Sequence, residues 1–279
     1  MGCVSTKNID TLEHDSTNSN TYHKYFKDRF NSYSDLEQGL RNAGLESSNL
    51  IIGIDFTRSN TWNGGDPYFN DQNLHSINHQ PNLYQQIITI MGKTLESFDD
   101  DKLIPTFGFG DAITKDKSVF SFALDPQTHY EVPCLTFNHV LHSYSSIINN
   151  IATGHMQLSG PTTFAPLIKK SIEIVKMNNS YHILLIITDG AVDNKQETIS
   201  AIIEASKYPL SIICIGVGKH NFNDMREFDD EIPQRNFDNF QFVDFHEVMK
   251  NCENREVEFA KHCLMEIPDQ YDYIKKYIL

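Results

Sequence analysis

The sequence predicts an α/β fold, a doubly wound, mostly parallel six-stranded sheet flanked by helices. Three observations carry this. "NLIIGID", "HILLIIT" and "LSIICIG" are continuous apolar runs, as strands buried on both faces require. Between them lie segments whose apolar residues recur at helical spacing. Two of the runs end in an aspartate, Asp55 in "IIGID" and Asp189 in "LIITD", at the carboxyl edge where open parallel sheets bind ligands.

Each element follows in order. Residues 1–24 are rich in Ser, Thr, Asn and His and read as a flexible polar tail. Residues 25–46 form a lead-in in which "SYSDLEQGLRNAGL" reads as a short helix, acidic at its start and capped by Gly44. The main domain is expected over 47–265 and opens with the "NLIIGID" strand. In "NLYQQIITIMGKTLESF", Tyr84, Ile87, Ile88, Met91, Leu95 and Phe98 fall on one helical face, a stripe that reads as core. "LIPTFGFG" and "SVFSFAL" read as two strands, and "FNHVLHSYSSIINNI" as a helix. "TTFAPLIKKSIEIVKM" is a helix led by threonines, with Pro166 in the first turn, where no backbone N–H is missed. "KQETISAIIEASK" is a helix and "FQFVDF" a short strand. "NREVEFAKHCLMEI" and "DQYDYIKKYIL" are helices, the second filling 266–279.

Bulk properties narrow the function. The 279 residues carry 23 basic and 37 acidic side chains, a net charge of −14. That balance argues against nucleic-acid binding and against docking on anionic lipid through charge. Cys3, Cys134, Cys214, Cys252 and Cys263 are scattered and make no C-x-x-C pair, so neither a zinc finger nor a disulfide framework is expected. A reducing, intracellular setting follows. No apolar run approaches the ~20 residues of a membrane span, and the N-terminus has no apolar signal core.

The strand-end acids point to a metal. In the strand order 3-2-1-4-5-6, Asp55 and Asp189 meet where the order reverses. Two carboxylates there repel unless a proton or cation lies between them. Asp55, Thr57 and Ser59 alternate, which puts three oxygen groups on one side of an extended chain. "SGPTTF" offers a further hydroxyl, from Thr162 or Thr163. Two acids and three hydroxyls make an all-oxygen set suited to Mg²⁺ or Mn²⁺ rather than Zn²⁺. Few charged ligands leave such an ion electrophilic, ready for an incoming carboxylate. D-x-T-x-S alone is a common polar turn; the second strand-end Asp and the GPT loop make it specific.

These features resemble the metal-ion-dependent adhesion site of the von Willebrand factor A domain, and within it the copine branch, with its copine-like plant RING ubiquitin ligases. "GLESSNLIIGIDFTRSNTW", "LIPTFGFGDA", "GPTTFAPLI", "ILLIITDGAV", "ASKYPLSIICIGVG" and "MREFDDEIPQRNFDNFQFV" carry the resemblance, over roughly residues 30 to 270. It implies that Asp55, Thr57, Ser59, Thr162 and Asp189 are the metal positions, and it selects Thr162 over Thr163. Copines carry two C2 domains before this domain, and the plant ligases a RING after it. Neither is expected here, so calcium sensing and ligase activity are not carried over.

"MGCVST" matches M-G-x-x-x-[ST], which makes Gly2 a candidate for myristoylation, with Thr6 at the last position and Cys3 a candidate for palmitoylation. Two acyl chains would give a stable anchor where one is marginal. The expectation is a cytoplasmic, peripheral-membrane, non-enzymatic binding module that captures an Asp or Glu of a protein partner. An adaptor in ubiquitin ligation is the alternative. A Mg²⁺-dependent hydrolase would need a second Asp two residues after Asp55, where Thr57 stands, and no G-x-x-x-x-G-K-[ST] or G-x-S-x-G motif occurs.

Other polar features take plain readings. His139 and His142 lie on a helix without a third metal ligand and read as a solvated face. Glu227, Asp229, Asp230 and Glu231 read as a surface loop, lacking the pattern of an EF-hand. Asp111 reads as a turn aspartate or a support to the metal site. Trp62 and Tyr68 are candidates for the site's rim.

Overall fold

The computed structural model describes residues 30–61, 73–77, 79–190, 192–250 and 254–279. Gly2, Cys3, Thr6, Trp62 and Tyr68 lie outside the described residues.

Helix α1 (Tyr33–Asn42) is capped by Ser32, whose side chain accepts from the Asp35 N–H. Its C-terminus corrects the sequence reading by one position. Ala43 is the cap, and Gly44 follows in the left-handed region at φ 105°. Gly44 N–H donates to the Arg41 carbonyl and Leu45 N–H to the Leu40 carbonyl, a closure that needs a left-handed residue at position 44.

The chain then alternates: β1 (Asn49–Asp55), α2 (Leu83–Leu95), β2 (Thr106–Phe109), β3 (Phe120–Ser121), α3 (Phe137–Ala152), α4 (Ala165–Asn178) and β4 (His182–Thr188). It continues with α5 (Lys195–Ala205), β5 (Leu210–Gly216), α6 (Asn223–Asp230), β6 (Phe240–Asp244), α7 (Phe245–Lys250), α8 (Arg255–Leu264) and α9 (Ile267–Tyr277). The sheet runs β3-β2-β1-β4-β5-β6 and is parallel except for β3. This is the six-stranded, doubly wound sheet that the apolar runs predict. "SVFSFAL" contributes only two paired residues.

Although the central runs are apolar throughout, their residues divide by alternation between two cores. Ile52, Ile54, Leu185, Ile187, Ile213 and Ile215 pack with α1, α2, α3, α8 and α9. Ile51, Leu184, Ile186, Ile212 and Cys214 pack with α4, α5 and α6. Gly53 marks the closest approach on the second face: a Cβ there would lie 2.1 Å from Leu167 Cδ2. Helix α4 therefore sits directly on β1, which brings the threonine loop before α4 to the end of that strand.

The acidic run at 227–231 is not a loop. Helix α6 extends through Asp230, with Met225 and Phe228 buried beneath it. Its apolar residues are too few to stand out against the surrounding charges. Helix α7 was equally hidden, being six residues that follow β6 without a break.

Candidate metal centre

The topology puts the centre at the reversal of strand order. β1 pairs with β4 in register Ile54↔Ile187, which sets Asp55 beside Thr188 and Asp189 just beyond the strand. Sequence placed Asp189 in the strand; the strand ends at Thr188, and Asp189 opens the turn. Asp55, Thr188 and Asp189 are fully buried.

Four hydrogen bonds tie Asp55, Thr57, Ser59 and Asp189 together with Thr188. The Thr57 N–H donates to Asp55 Oδ1 at 2.8 Å, and the Thr188 hydroxyl donates to Asp55 Oδ2 at 2.6 Å. Ser59 Oγ donates to Asp189 Oδ1 at 2.9 Å and lies 2.8 Å from Thr57 Oγ1. A hydroxyl has one proton. With that of Ser59 given to Asp189, Thr57 must be the donor to Ser59. Thr162 is held through its backbone: its N–H donates to Asp193 Oδ2 at 2.6 Å, and its carbonyl accepts from the Asp193 N–H at 2.9 Å. Its hydroxyl takes no part in these bonds. The Thr163 hydroxyl is engaged at the start of α4, accepting from the Ala165 N–H at 3.4 Å.

Burial raises the Asp55 carboxyl above its ordinary range, and hydrogen bonds from Thr188 and Thr57 oppose that rise. These donors are neutral, so none supplies the positive charge that would repay burying a carboxylate. The donor set fits a hard divalent cation: two carboxylates and three hydroxyls, all oxygen. Asp55, Thr57, Ser59, Thr162 and Asp189 are the residues that would hold it.

A second layer was not anticipated. His75 is sandwiched between Phe56 and Tyr84, with ring centroids 4.9 Å and 4.3 Å away. Its Nε2 lies 2.9 Å from the Asp55 carbonyl, which can only accept, so Nε2 carries the proton. Nδ1 then accepts from the Tyr144 hydroxyl at 2.7 Å, and Tyr144 accepts from Asn82 Nδ2 at 3.1 Å. Burial pushes the imidazole down to about 3, so it stays neutral. Asn60, fully buried, donates to the Thr57 carbonyl at 3.1 Å and accepts from Tyr84 at 2.6 Å. This network fixes the backbone on which Asp55 and Thr57 sit. Of these residues only Asn60 and Asp193, within a few positions of the motif acids, offered a signal in sequence; His75 and Tyr144 offered none.

The loop after β2 closes against the site. At Gly110 (φ 84°) a Cβ would lie 2.3 Å from Thr57 Cγ2, so the close approach excludes a side chain. Asp111 is a turn aspartate: it accepts from the Ile113 N–H at 3.1 Å, the Thr114 N–H at 3.0 Å and the Thr114 hydroxyl. His139 Nδ1 accepts from the Leu135 N–H at 3.2 Å, a local helix-end contact. Among the described residues no group of three or more His, Cys, Asp or Glu side chains gathers around a point.

With this geometry in place, the comparisons are specific. The copine family model matches residues 73–278. The chain belongs to the copine family. E3 ubiquitin-protein ligase RGLG5 of Arabidopsis thaliana is 48% identical over 273 residues, covering 91% of this chain and 60% of the ligase. Copine family protein 2 of Caenorhabditis elegans is 48% identical over 248 residues, covering 88% of this chain and 3% of that protein. The chain thus spans 60% or less of the length of these relatives. A manganese-loaded TRAP protein of Plasmodium vivax superposes with a TM-score of 0.45 at 11% identity, over 72% of this chain and 70% of its own.

Proposed function

We propose that this copine domain is a protein-binding module that uses Mg²⁺ to capture a carboxylate of its partner. The observation that carries the reading is the connected set Asp55–Thr57–Ser59–Asp189 at the switch point of a parallel sheet, its two acids fully buried and met by neutral donors. Bound there, the cation would supply an electrophilic position for an Asp or Glu side chain. The chain's own residues divide the work. Asp55 and Asp189 supply charge, and Thr57, Ser59 and Thr162 supply neutral oxygens. The modest count of charged ligands favours an incoming anion. Pull-down from cell extract is expected to recover partners in Mg²⁺ and lose them in EDTA or with Asp55→Ala. Partners retained equally in all three conditions would reject metal capture.

The same reading includes a membrane tether through myristoylated Gly2 and palmitoylated Cys3, which places the module at the cytoplasmic leaflet. Myristate labelling of wild type that vanishes in Gly2→Ala is the expected result, and absence of label on wild type rejects it.

A second reading is favoured by the 48% identity to a ubiquitin-protein ligase: an adaptor that presents partners for ubiquitination. Proximity labelling that recovers ubiquitin-ligase components supports it, and labelling without them favours the simpler module.

A further inference from the structure

We infer that an apolar cleft between the loop after β3 and helix α3 holds the myristoyl chain on Gly2 of the same molecule. The singly acylated protein is thereby kept off the membrane until Cys3 is acylated. This rests on the lipidation reading above.

The cleft encloses about 730 Å³, within the usual range of small-molecule sites. Four of the ten exposed large apolar side chains among the described residues line it: Leu103, Leu124, Val132 and Leu135, 36% to 59% exposed. Single exposed apolar residues are ordinary, but four around one cleft mark a binding surface. Phe122 and Ile147 also line it and join it to the core packed by α2 and α3.

The walls favour an occupant that makes no hydrogen bonds. The Leu103 N–H donates to Asp101 Oδ1, and the Phe122 N–H to the Thr106 carbonyl. The Asp125 N–H donates to the Tyr130 carbonyl, the Val132 N–H to the Ala123 carbonyl and the Leu135 N–H to His139 Nδ1. Pro126 and Pro133 have no N–H to give. Asp125 Oδ1 accepts from Gln127 and Thr128 of its own loop, and the Ser146 hydroxyl donates to the His142 carbonyl. A peptide laid here would find few backbone donors for its carbonyls and would bury them at a cost. A hydrocarbon chain has no such groups.

The cleft is within reach of Gly2. Phe30 packs on α1, where a Cβ at Gly39 would lie 2.7 Å from Phe30 Cε1. Helix α1 packs on α2, and α2 on α3. Neighbouring helix axes stand roughly 8–10 Å apart, which puts α1 and α3 about 20 Å from each other. Residues 3–29 join Gly2 to Phe30, and a chain of that length can span up to ~90 Å. Tethering makes capture intramolecular, at an effective concentration that can reach the mM range. Membrane binding through one myristoyl chain is only about 10⁴ M⁻¹, so even weak capture competes with it. Acylation of Cys3 adds a second chain and tips the balance to the bilayer.

The test uses the whole protein, coexpressed with an N-myristoyltransferase and fed myristic acid that carries a terminal diazirine. Intact mass counts the acyl chains. Irradiation is expected to cross-link the chain, within one molecule, to residues 122–135 or to α3. Leu124→Glu combined with Leu135→Glu, at exposed positions, is expected to keep its thermal midpoint and lose those cross-links. Once myristoylated, that variant should bind phosphatidylcholine vesicles at least about fivefold more tightly than myristoylated wild type. Acylated wild type whose cross-links fall elsewhere, or whose vesicle binding equals the variant's, overturns the inference and leaves lipidation standing. Cross-links that join two copies place the chain in a neighbouring molecule and overturn it as well. Wild type that carries no acyl chain overturns both readings.

Discussion

The molecule holds two groups of carboxylates, each with buried or half-buried members, built on opposite principles. At the β1–β4 switch point, Asp55 is met by an amide and hydroxyls, and Asp189 by the Ser59 hydroxyl. Beyond β6, Asp229, Asp238 and Glu266 surround Arg235, whose guanidinium bonds Asp238 at 2.7 Å and the Phe228 and Asp229 carbonyls at 3.3 and 2.8 Å. Asp229 Oδ2 in turn accepts from the Phe242 N–H on the sheet edge at 3.1 Å. The second group carries its own cation and finishes a structural edge. The first is arranged around neutral oxygens, which is what a site for an external cation requires. Acid content alone does not distinguish them; the identity of the donors does.

The largest effect that would break this contrast is at the first group. Asp189→Ala is expected to lower Mg²⁺ affinity by more than about 100-fold, read by titration calorimetry, since losing a mere outer partner typically costs 10–100-fold. Asp238→Asn should leave Mg²⁺ affinity unchanged. Equal losses in the two variants would erase the distinction. Next is Arg235→Met. Removing the guanidinium from Asp238 and from the Phe228 and Asp229 carbonyls should cost about 1–3 kcal/mol in urea unfolding, with Mg²⁺ affinity unaltered. A neutral effect on stability would mean that these acids do not depend on Arg235.

The same contrast explains what was legible in the sequence. Asp55, Thr57, Ser59 and Asp189 could be read because strand ends are marked by the close of an apolar run, and parallel topology brings two such ends together. Thr162 against Thr163 could not be read from spacing. In the structure the Asp193 side chain accepts from the Thr162 N–H, and the Thr163 hydroxyl is engaged at the start of α4. His75 and Tyr144 were invisible because they reach the site from distant segments, 20 and 89 positions beyond Asp55, through contacts that only tertiary packing creates. Helix α6 was misread because charge dominates its sequence. Its two buried residues, Met225 and Phe228, are a helical turn apart, too short a pattern to outweigh the acids.

A smaller effect tests whether the inner network positions the first group. Tyr144→Phe keeps the ring stacking but removes the hydroxyl that fixes the His75 tautomer and accepts from Asn82. It is expected to cost about 1–2 kcal/mol in stability. Mg²⁺ affinity should fall severalfold, because the Asp55 carbonyl loses a correctly protonated donor. If stability falls while Mg²⁺ affinity holds, the network supports the fold but not the site.

The smallest effect is a pH slope in the second group. Burial, with repulsion from Asp229 and Asp238, pushes Glu266 up to about 8 against an ordinary 4.5. Between those values the folded chain keeps a proton that the unfolded chain has lost. Stability therefore falls as pH rises through that window and levels off above it. The Gln241 amide, with its nitrogen turned to Glu266, donates to both carboxylate oxygens at 2.6 and 2.7 Å and offsets part of the cost of ionisation. Glu266→Gln should accordingly flatten the slope and exceed wild type by about 1 kcal/mol above pH 8, with no difference near pH 4. Unfolding midpoints measured across that range decide it. A variant less stable than wild type at high pH would show that Arg235 and Gln241 hold Glu266 as a settled carboxylate, and the second group would then be as fully neutralised as an ion pair can be.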